Sequence, residues 1–225
     1  MITVACVLWG NKFSEEYVHK MKSMVKRNTT IDHNFVCFSD RNIEGVDTKL
    51  LQPGLNSWWN KMQVFNTKYR LSERIVYLDL DTIITNNIDW LLNYKGKFMG
   101  IEDVGAVNAH QPHLIDKLQS GVMAWDYSSN GRVWDLFSKN PMATNIFRGD
   151  GEYLDSIMFL PDMVQKLYPG RLKSYKYQVY PNRLTNKTSI VCFHGRPSIK
   201  DAITSTTKTP SRVYTAQNWI KDYWK

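Results

Sequence analysis

The sequence predicts an α/β fold, and three observations carry that prediction. Residues 3–8 read as a strand, residues 14–27 as an amphipathic helix and residues 34–38 as a second strand, all within the first forty residues. Strand, helix, strand at this spacing is a βαβ opening. Residues 75–84, Ile-Val-Tyr-Leu-Asp-Leu-Asp-Thr-Ile-Ile, form the most apolar window and read as one buried strand. Further strand-like and helix-like stretches then alternate to the end of the chain.

Taken in order, Ser14 is a good helix N-cap, and Glu15 and Glu16 suit a helix N-terminus. Residues 48–51 form a short strand broken by Pro53-Gly54, and residues 58–69 a second helix. Paired tryptophans are costly to expose, so Trp58 reads as core. Residues 86–89 cap a short helix at residues 90–92, and residues 97–101 form a strand that ends in Glu102-Asp103. Residues 104–118 are irregular and polar; His110 and His113, three apart there, read as solvated rather than as metal ligands. Strands are expected at residues 121–125, 174–179 and 190–193, and helices at residues 133–138 and 150–159. An aromatic, basic, amphipathic helix is expected over residues 213–225. Docking on the domain is its first reading; peripheral contact with a membrane surface is the sharper one.

The 225 residues suit one domain with no linker or repeat, and 43% hydrophobic residues supply a core, which argues against disorder. No run approaches the roughly 18 apolar residues of a membrane span. Residues 1–8 lack a basic start and a cleavage site, so they read as a first strand rather than a signal peptide. The three cysteines, Cys6, Cys37 and Cys192, are widely spaced in apolar runs. They read as buried thiols in a reducing, cytoplasmic compartment. The formal charge of +8 comes without a Lys/Arg block or nucleic-acid motif, so no nucleic-acid partner is expected. No G-x-G-x-x-G follows the first strand, which excludes the dinucleotide fingerprint.

The chemistry concentrates at strand ends. Asp79 and Asp81, two residues apart, place two carboxylates on one face of a strand. Two such anions need a cation or a shared proton. Asp-x-Asp-x-Thr after an apolar strand also suits a phosphohydrolase with an aspartyl nucleophile, but no Asp-Asp pair follows downstream. His194, after another apolar strand and beside Arg196, adds an imidazole. With a diphosphate, these three would satisfy a divalent ion such as Mn2+. Arg196 could fork onto a phosphate oxygen. Lys61, near the start of the predicted second helix, is a surface lysine or a phosphate or sugar contact.

In consistent order from residue 6 to residue 197, the chain carries Cys6-Val7-Leu8-Trp9-Gly10 with Tyr17-Val18, Trp58-Trp59-Asn60-Lys61, Tyr77-Leu78-Asp79-Leu80-Asp81-Thr82 and Asn87-Ile88-Asp89. Ser120-Gly121-Val122-Met123, Gly149-Asp150, Tyr168-Pro169-Gly170 and Cys192-Phe193-His194-Gly195-Arg196-Pro197 follow. Together these stretches resemble the glycogenin-like, family 8 type of glycosyltransferase, closest to its small bacterial and phage members. The resemblance implies a single-domain GT-A, Rossmann-like nucleotide-diphospho-sugar transferase fold, a mixed central sheet flanked by helices. It implies retaining transfer from a nucleoside-diphosphate sugar, with UDP expected, to a hydroxyl acceptor such as a carbohydrate, with Mn2+ or Mg2+. Asp79, Asp81 and His194 would be metal ligands; Leu8, Trp9, Gly10 and Tyr17 would border the base. Lys61, Gly195 and Arg196 would meet the diphosphate or donor sugar. Asp103, Gln119 and Ser120 would line the sugar pocket, and Asp150 would stand beside the reacting carbon. Gln119, Gly151 and Ser198 replace the asparagine, glutamine and lysine usual in that pattern. A non-catalytic nucleotide- or carbohydrate-binding module on the same fold is the remaining alternative.

Overall fold

A computed structural model describes residues 1–103, 117–140, 142–210 and 212–225. His110 and His113, and most of the polar stretch 104–118, lie outside the described residues.

Strand β1 (Ile2–Leu8) is the hub of the main sheet. Its alternate residues divide between two cores, as the two-residue period of a strand requires. Val4, Cys6 and Leu8 face one, and Ala5 and Val7 face the other. Helix α1 (Glu15–Asn28) covers the first face by burying Tyr17, Val18, Met21, Met24 and Val25. Ser14 takes the N-cap position in extended backbone, although its side chain makes no capping bond. Strand β2 (His33–Ser39) pairs parallel with β1, and β3 (Asp47–Leu50) pairs parallel with β2. On the other side of β1, strand β4 (Arg74–Leu78) is also parallel. Strand β7 (Leu118–Asp126) then runs antiparallel to β4, and β6 (Phe98–Glu102) antiparallel to β7. The two-residue β8 (Asp162–Met163) closes the edge, giving the order β3-β2-β1-β4-β7-β6-β8.

The second face is aromatic. Phe65 stacks on Trp125 with ring centroids 4.4 Å apart, and Trp59 on Phe137 at 5.6 Å. Helices α3 (Arg132–Ser138) and α4 (Asp150–Ile157) cover it, after the short α2 (Asp89–Leu92) has closed against the first core.

The expected single strand over residues 75–84 is two strands. After β4 the chain turns at Asp79–Asp81, with the Thr82 amide donating to the Asp79 carbonyl (3.1 Å). It continues as β5 (Thr82–Ile84) in a separate sheet, ordered β5-β10-β9, with β9 at Leu172–Ser174 and β10 at Ile190–Cys192. Both strands are buried on both faces, so hydropathy gives no sign of the break.

Three other expectations change. Residues 58–69 are not α-helical. Ser57–Phe65 and Thr67–Tyr69 are 3-10 turns, tied down where the Gln63 amide exchanges two hydrogen bonds with the Gln52 backbone. Residues 174–179 are not a strand: Tyr175–Val179 is a π turn, in which the Tyr180 amide reaches back to the Tyr175 carbonyl (2.8 Å). The tail is helical only at its end. After α5 (Ile199–Thr204), residues Thr207–Lys208 and Val213–Tyr214 form a ribbon, β11 and β12, and α6 spans Trp219–Tyr223. Its docking on the domain is as expected. Ile220 and Trp224 are buried, Trp224 meets Tyr17 edge-on, and Arg27 donates to the Tyr223 and Lys225 carbonyls. Among the described residues no helix is long and apolar enough to cross a membrane.

Candidate active site

The turn at Asp79–Asp81 splices the two sheets. The Asp79 amide donates to the Gly121 carbonyl of β7 (2.9 Å), which extends the main sheet by one rung. The Asp81 carbonyl accepts from the Phe193 amide just past β10 (2.8 Å), which begins the small sheet. A cavity of about 420 Å³ opens between them. Asp79, Asp81, His194 and Gly195 line it, and so do Lys61, Asp103, Gln119, Ser120 and Asp150. Nine residues scattered from position 61 to position 195 thus line one cavity; Asp79 and His194 reach it just past the carboxyl ends of their strands, whereas Gln119 and Ser120 reach it from the start of β7 and Asp150 from the start of α4.

Lys61 is the pivot of the polar floor. Its ammonium lies 2.9 Å from Asp150 Oδ2 and 3.1 Å from Asp79 Oδ1, and donates to Ser120 Oγ at 3.0 Å. Ser120 Oγ donates in turn to Asp150 Oδ2, and the Tyr77 hydroxyl donates to Asp79 Oδ1 (2.7 Å). Burial works against charge on the Lys61 ammonium, but the Asp150 and Asp79 carboxylates outweigh it, and its pKa rises above the ordinary lysine value. Burial, then the Asp79 charge, pushes the Tyr77 phenol up, so it stays a donor.

Among the described residues, Asp81 has no such cation against it. Burial first, and the Asp79 charge second, raise its carboxyl to about 7; the more distant Lys12 and Lys61 offset this only in part. A like-charged pair held in that state is the electrostatic vacancy that a divalent cation relieves. His194 is suited to the same task. Burial, with a smaller push from the Lys176 charge, lowers its imidazole to about 4, so the ring is neutral at pH 7, as a metal ligand must be. Its Nε2 is hydrogen-bonded to Ser174 Oγ (2.7 Å), and Tyr177 stacks on the ring. As these side chains lie, no three His, Cys, Asp or Glu groups among the described residues stand close enough together to grip a metal ion. The donor types fit a hard divalent cation, and all three side chains line the same cavity without being closed around a point.

A second cavity of about 280 Å³ adjoins the first, sharing Lys12, Trp58, Lys61, Asp79 and Asp81 with it. Trp9 lines this side with Val7, Phe13 and Leu80. The other residues expected to border a base fall elsewhere. Leu8 is fully buried in the core, Tyr17 packs between Phe13 and Trp224, and the Gly10 amide is bonded to Asp40. Gly10 does take the left-handed backbone (φ +55°) that lets the chain turn out of β1. Arg196 is exposed and lines neither cavity. Gln119 donates to Asp103 Oδ2 (3.1 Å), so these two act as one polar unit.

Sequence reasoning missed Lys12, Ser174 and Phe13. Lys12 had a readable signal, a lysine in the loop leaving the first strand; Ser174 and Phe13 had none. Trp58 was misplaced. It is 51% exposed, while its neighbour Trp59 is 6% exposed and fills the core.

A seven-stranded mixed sheet, with a small second sheet spliced to it at an Asp-x-Asp turn over a polar cavity, is the A-type (GT-A) fold of glycosyltransferases. Solved structures show this. The galactosyltransferase LgtC, crystallised with donor and acceptor sugar analogues, superposes with a TM-score of 0.63 at 11% identity, covering 88% of each chain. The glycosyltransferase GlyE of Streptococcus pneumoniae TIGR4 gives 0.63 at 12% identity, and the bifunctional glycosyltransferase WbbM 0.63 at 9%. The chain is 88% covered in both, but spans only 56% and 46% of those longer proteins. No family model and no curated protein sequence matches the chain.

Proposed function

We propose that this protein is a metal-dependent glycosyltransferase that moves a hexose from a nucleoside-diphosphate sugar, with UDP as the expected carrier, to a hydroxyl acceptor with retention. The proposal includes the finer kinship to the glycogenin-like, family 8 group. The observation that carries it is the convergence of Asp79, Asp81 and His194 on one cavity of a GT-A fold, with Asp81 held short of full ionisation by burial and by its neighbour.

In this reading Asp79, Asp81 and His194 hold Mn2+ or Mg2+. The ion, when bound, supplies positive charge to the diphosphate as it leaves. The chain's own residues do the rest. Trp9 borders the base, while Asp103, Gln119 and Ser120 bond the sugar hydroxyls. Lys61 holds the Asp79 and Asp150 carboxylates in place, and contributes cationic charge on the diphosphate side. Asp150, pinned by Lys61 and Ser120, presents a fixed anion to a reacting carbon that becomes electron-poor as its bond to the diphosphate breaks. Gly195, in left-handed backbone (φ +68°), carries the chain away beside His194.

The alternative of a phosphohydrolase needs an aspartate free to attack, whereas Asp79 is engaged by both Lys61 and Tyr77. A screen of UDP-, GDP- and TDP-sugars for release of the nucleoside diphosphate with Mn2+ decides between the readings. Release from one donor, lost on chelation and in Asp81→Ala, supports glycosyl transfer. Turnover of an aryl phosphate with no donor cleaved supports the phosphohydrolase. Donor binding with no cleavage of any sugar supports the binding module.

A further inference from the structure

Trp58 is a large aromatic side chain that the fold holds in solvent. Leaving an indole exposed forgoes much of the roughly 1.5–3 kcal/mol that burying a large apolar side chain contributes, and Trp59 next to it shows that the core was within reach. The backbone supports the exposed position at a further cost. Ser57 adopts φ +59°, the left-handed region that a residue with a Cβ avoids, at the step that turns Trp58 outward. The space beside the indole is also kept clear. A Cβ on Gly149 would lie 3.3 Å from Trp58 Nε1, although Gly149 itself is in extended backbone that any residue adopts. The indole lines both halves of the site, and its Nε1 edge lies towards Gly149, next to Asp150 and therefore on the sugar side. That N–H has no hydrogen-bond partner among the described residues.

We propose that the Trp58 indole is the platform on which the pyranose ring of the donor sugar stacks, which makes Trp58 a specificity-determining residue for the sugar rather than for the nucleotide. This rests on the reading of the cavity as a nucleoside-diphosphate-sugar site. A pyranose has an apolar face of axial C–H groups and a rim of hydroxyls. The indole supplies a flat apolar, π-rich surface for the face, and Asp103, Gln119 and Ser120 supply partners for the rim. The Nε1–H supplies one further donor to a hydroxyl. Gly149 is the clearance that sets the tilt of the ring.

The test is calorimetric binding, with Mn2+ present, of UDP, GDP and TDP and of their hexose conjugates. It uses the wild type, Trp58→Ala, Trp58→Phe and Gly149→Ala. In Trp58→Ala, affinity for the conjugate should fall about tenfold, the worth of one aromatic contact, while affinity for the bare diphosphate changes less than twofold. Trp58→Phe should recover most of the loss. Gly149→Ala, which keeps the indole but crowds it, should weaken the conjugate alone. Because Trp58 is exposed, melting temperatures should stay within a few degrees of wild type. Equal weakening of diphosphate and conjugate, or no change in either, overturns the proposal. A wild type that binds no nucleotide of the panel overturns the nucleotide-sugar reading itself, and this proposal with it; that result is visible before any variant is made.

Discussion

Replacing Lys61 with Met removes one ammonium and keeps most of the apolar stem. The side chains of Lys61 and Asp150 are 7% and 9% exposed, so their pair is sealed from water. Removing one partner of such a pair costs about 3–5 kcal/mol, because it strands the other charge. The pair with Asp79, whose side chain is 32% exposed, adds less than about 1 kcal/mol. Lys61→Met should therefore destabilise the protein by roughly 4 kcal/mol, or about 8–16 °C in melting temperature for a domain this size. Urea unfolding followed by tryptophan fluorescence measures it. Lys61→Met/Asp150→Asn should recover part of the loss, since it no longer buries a stranded anion. A loss below about 1 kcal/mol, or a double variant no better than the single one, would refute the pivotal role given to Lys61.

Two further outcomes follow from the same contacts. The Asp81 carboxyl is raised from 3.8 to about 7 in the folded, metal-free protein, so the folded state binds the extra proton between those values and stability falls as pH rises across them. Asp81→Asn should thus match wild type near pH 4 and exceed it above pH 7 in chelator; a loss of stability at pH 8 would contradict this. Trp224→Ala should cost roughly 3–5 kcal/mol in urea unfolding, because Trp224 is buried against Tyr17 and beneath the Lys20 ammonium, 3.7 Å from its ring. A cost near zero would mean that the tail does not dock as described.

Much of this architecture was legible because it obeys simple periods. The first strand, the helix that buries Tyr17, Met21, Met24 and Val25, and the second strand follow directly from alternation and 3.6-residue spacing. Asp79, Asp81 and His194 stood out because each follows an apolar strand-like run whose end the pattern marks, whereas Asp150 entered only through the family resemblance. What was hidden lies in places where hydropathy carries no positional information. The window from 75 to 84 is apolar throughout, so nothing in it announces that the chain changes sheets at Asp79–Asp81. Tyr175 and Val179 favour strands, but the Gln178 side chain accepts the Ser174 amide and the chain closes into a π turn instead. Leu8 and Tyr17 are large and apolar enough for either a base-binding wall or a core, and packing put both in the core. Trp58 and Trp59 are the same residue type side by side. They are consecutive residues of a 3-10 turn, so they point about 120° apart, one into the core and one out of it, and hydropathy does not say which is which.

Melting the protein with UDP and Mn2+, alone and together, is the most direct test of the site at Asp79 and Asp81. Ligand at about a hundred times its Kd stabilises by about 2.7 kcal/mol, or roughly 5–10 °C here. The expected result is a rise of that size with UDP and Mn2+ together, little with either alone, and none in Asp79→Ala or Asp81→Ala. A rise that survives both substitutions would contradict the assignment of these two aspartates as the centre of the site.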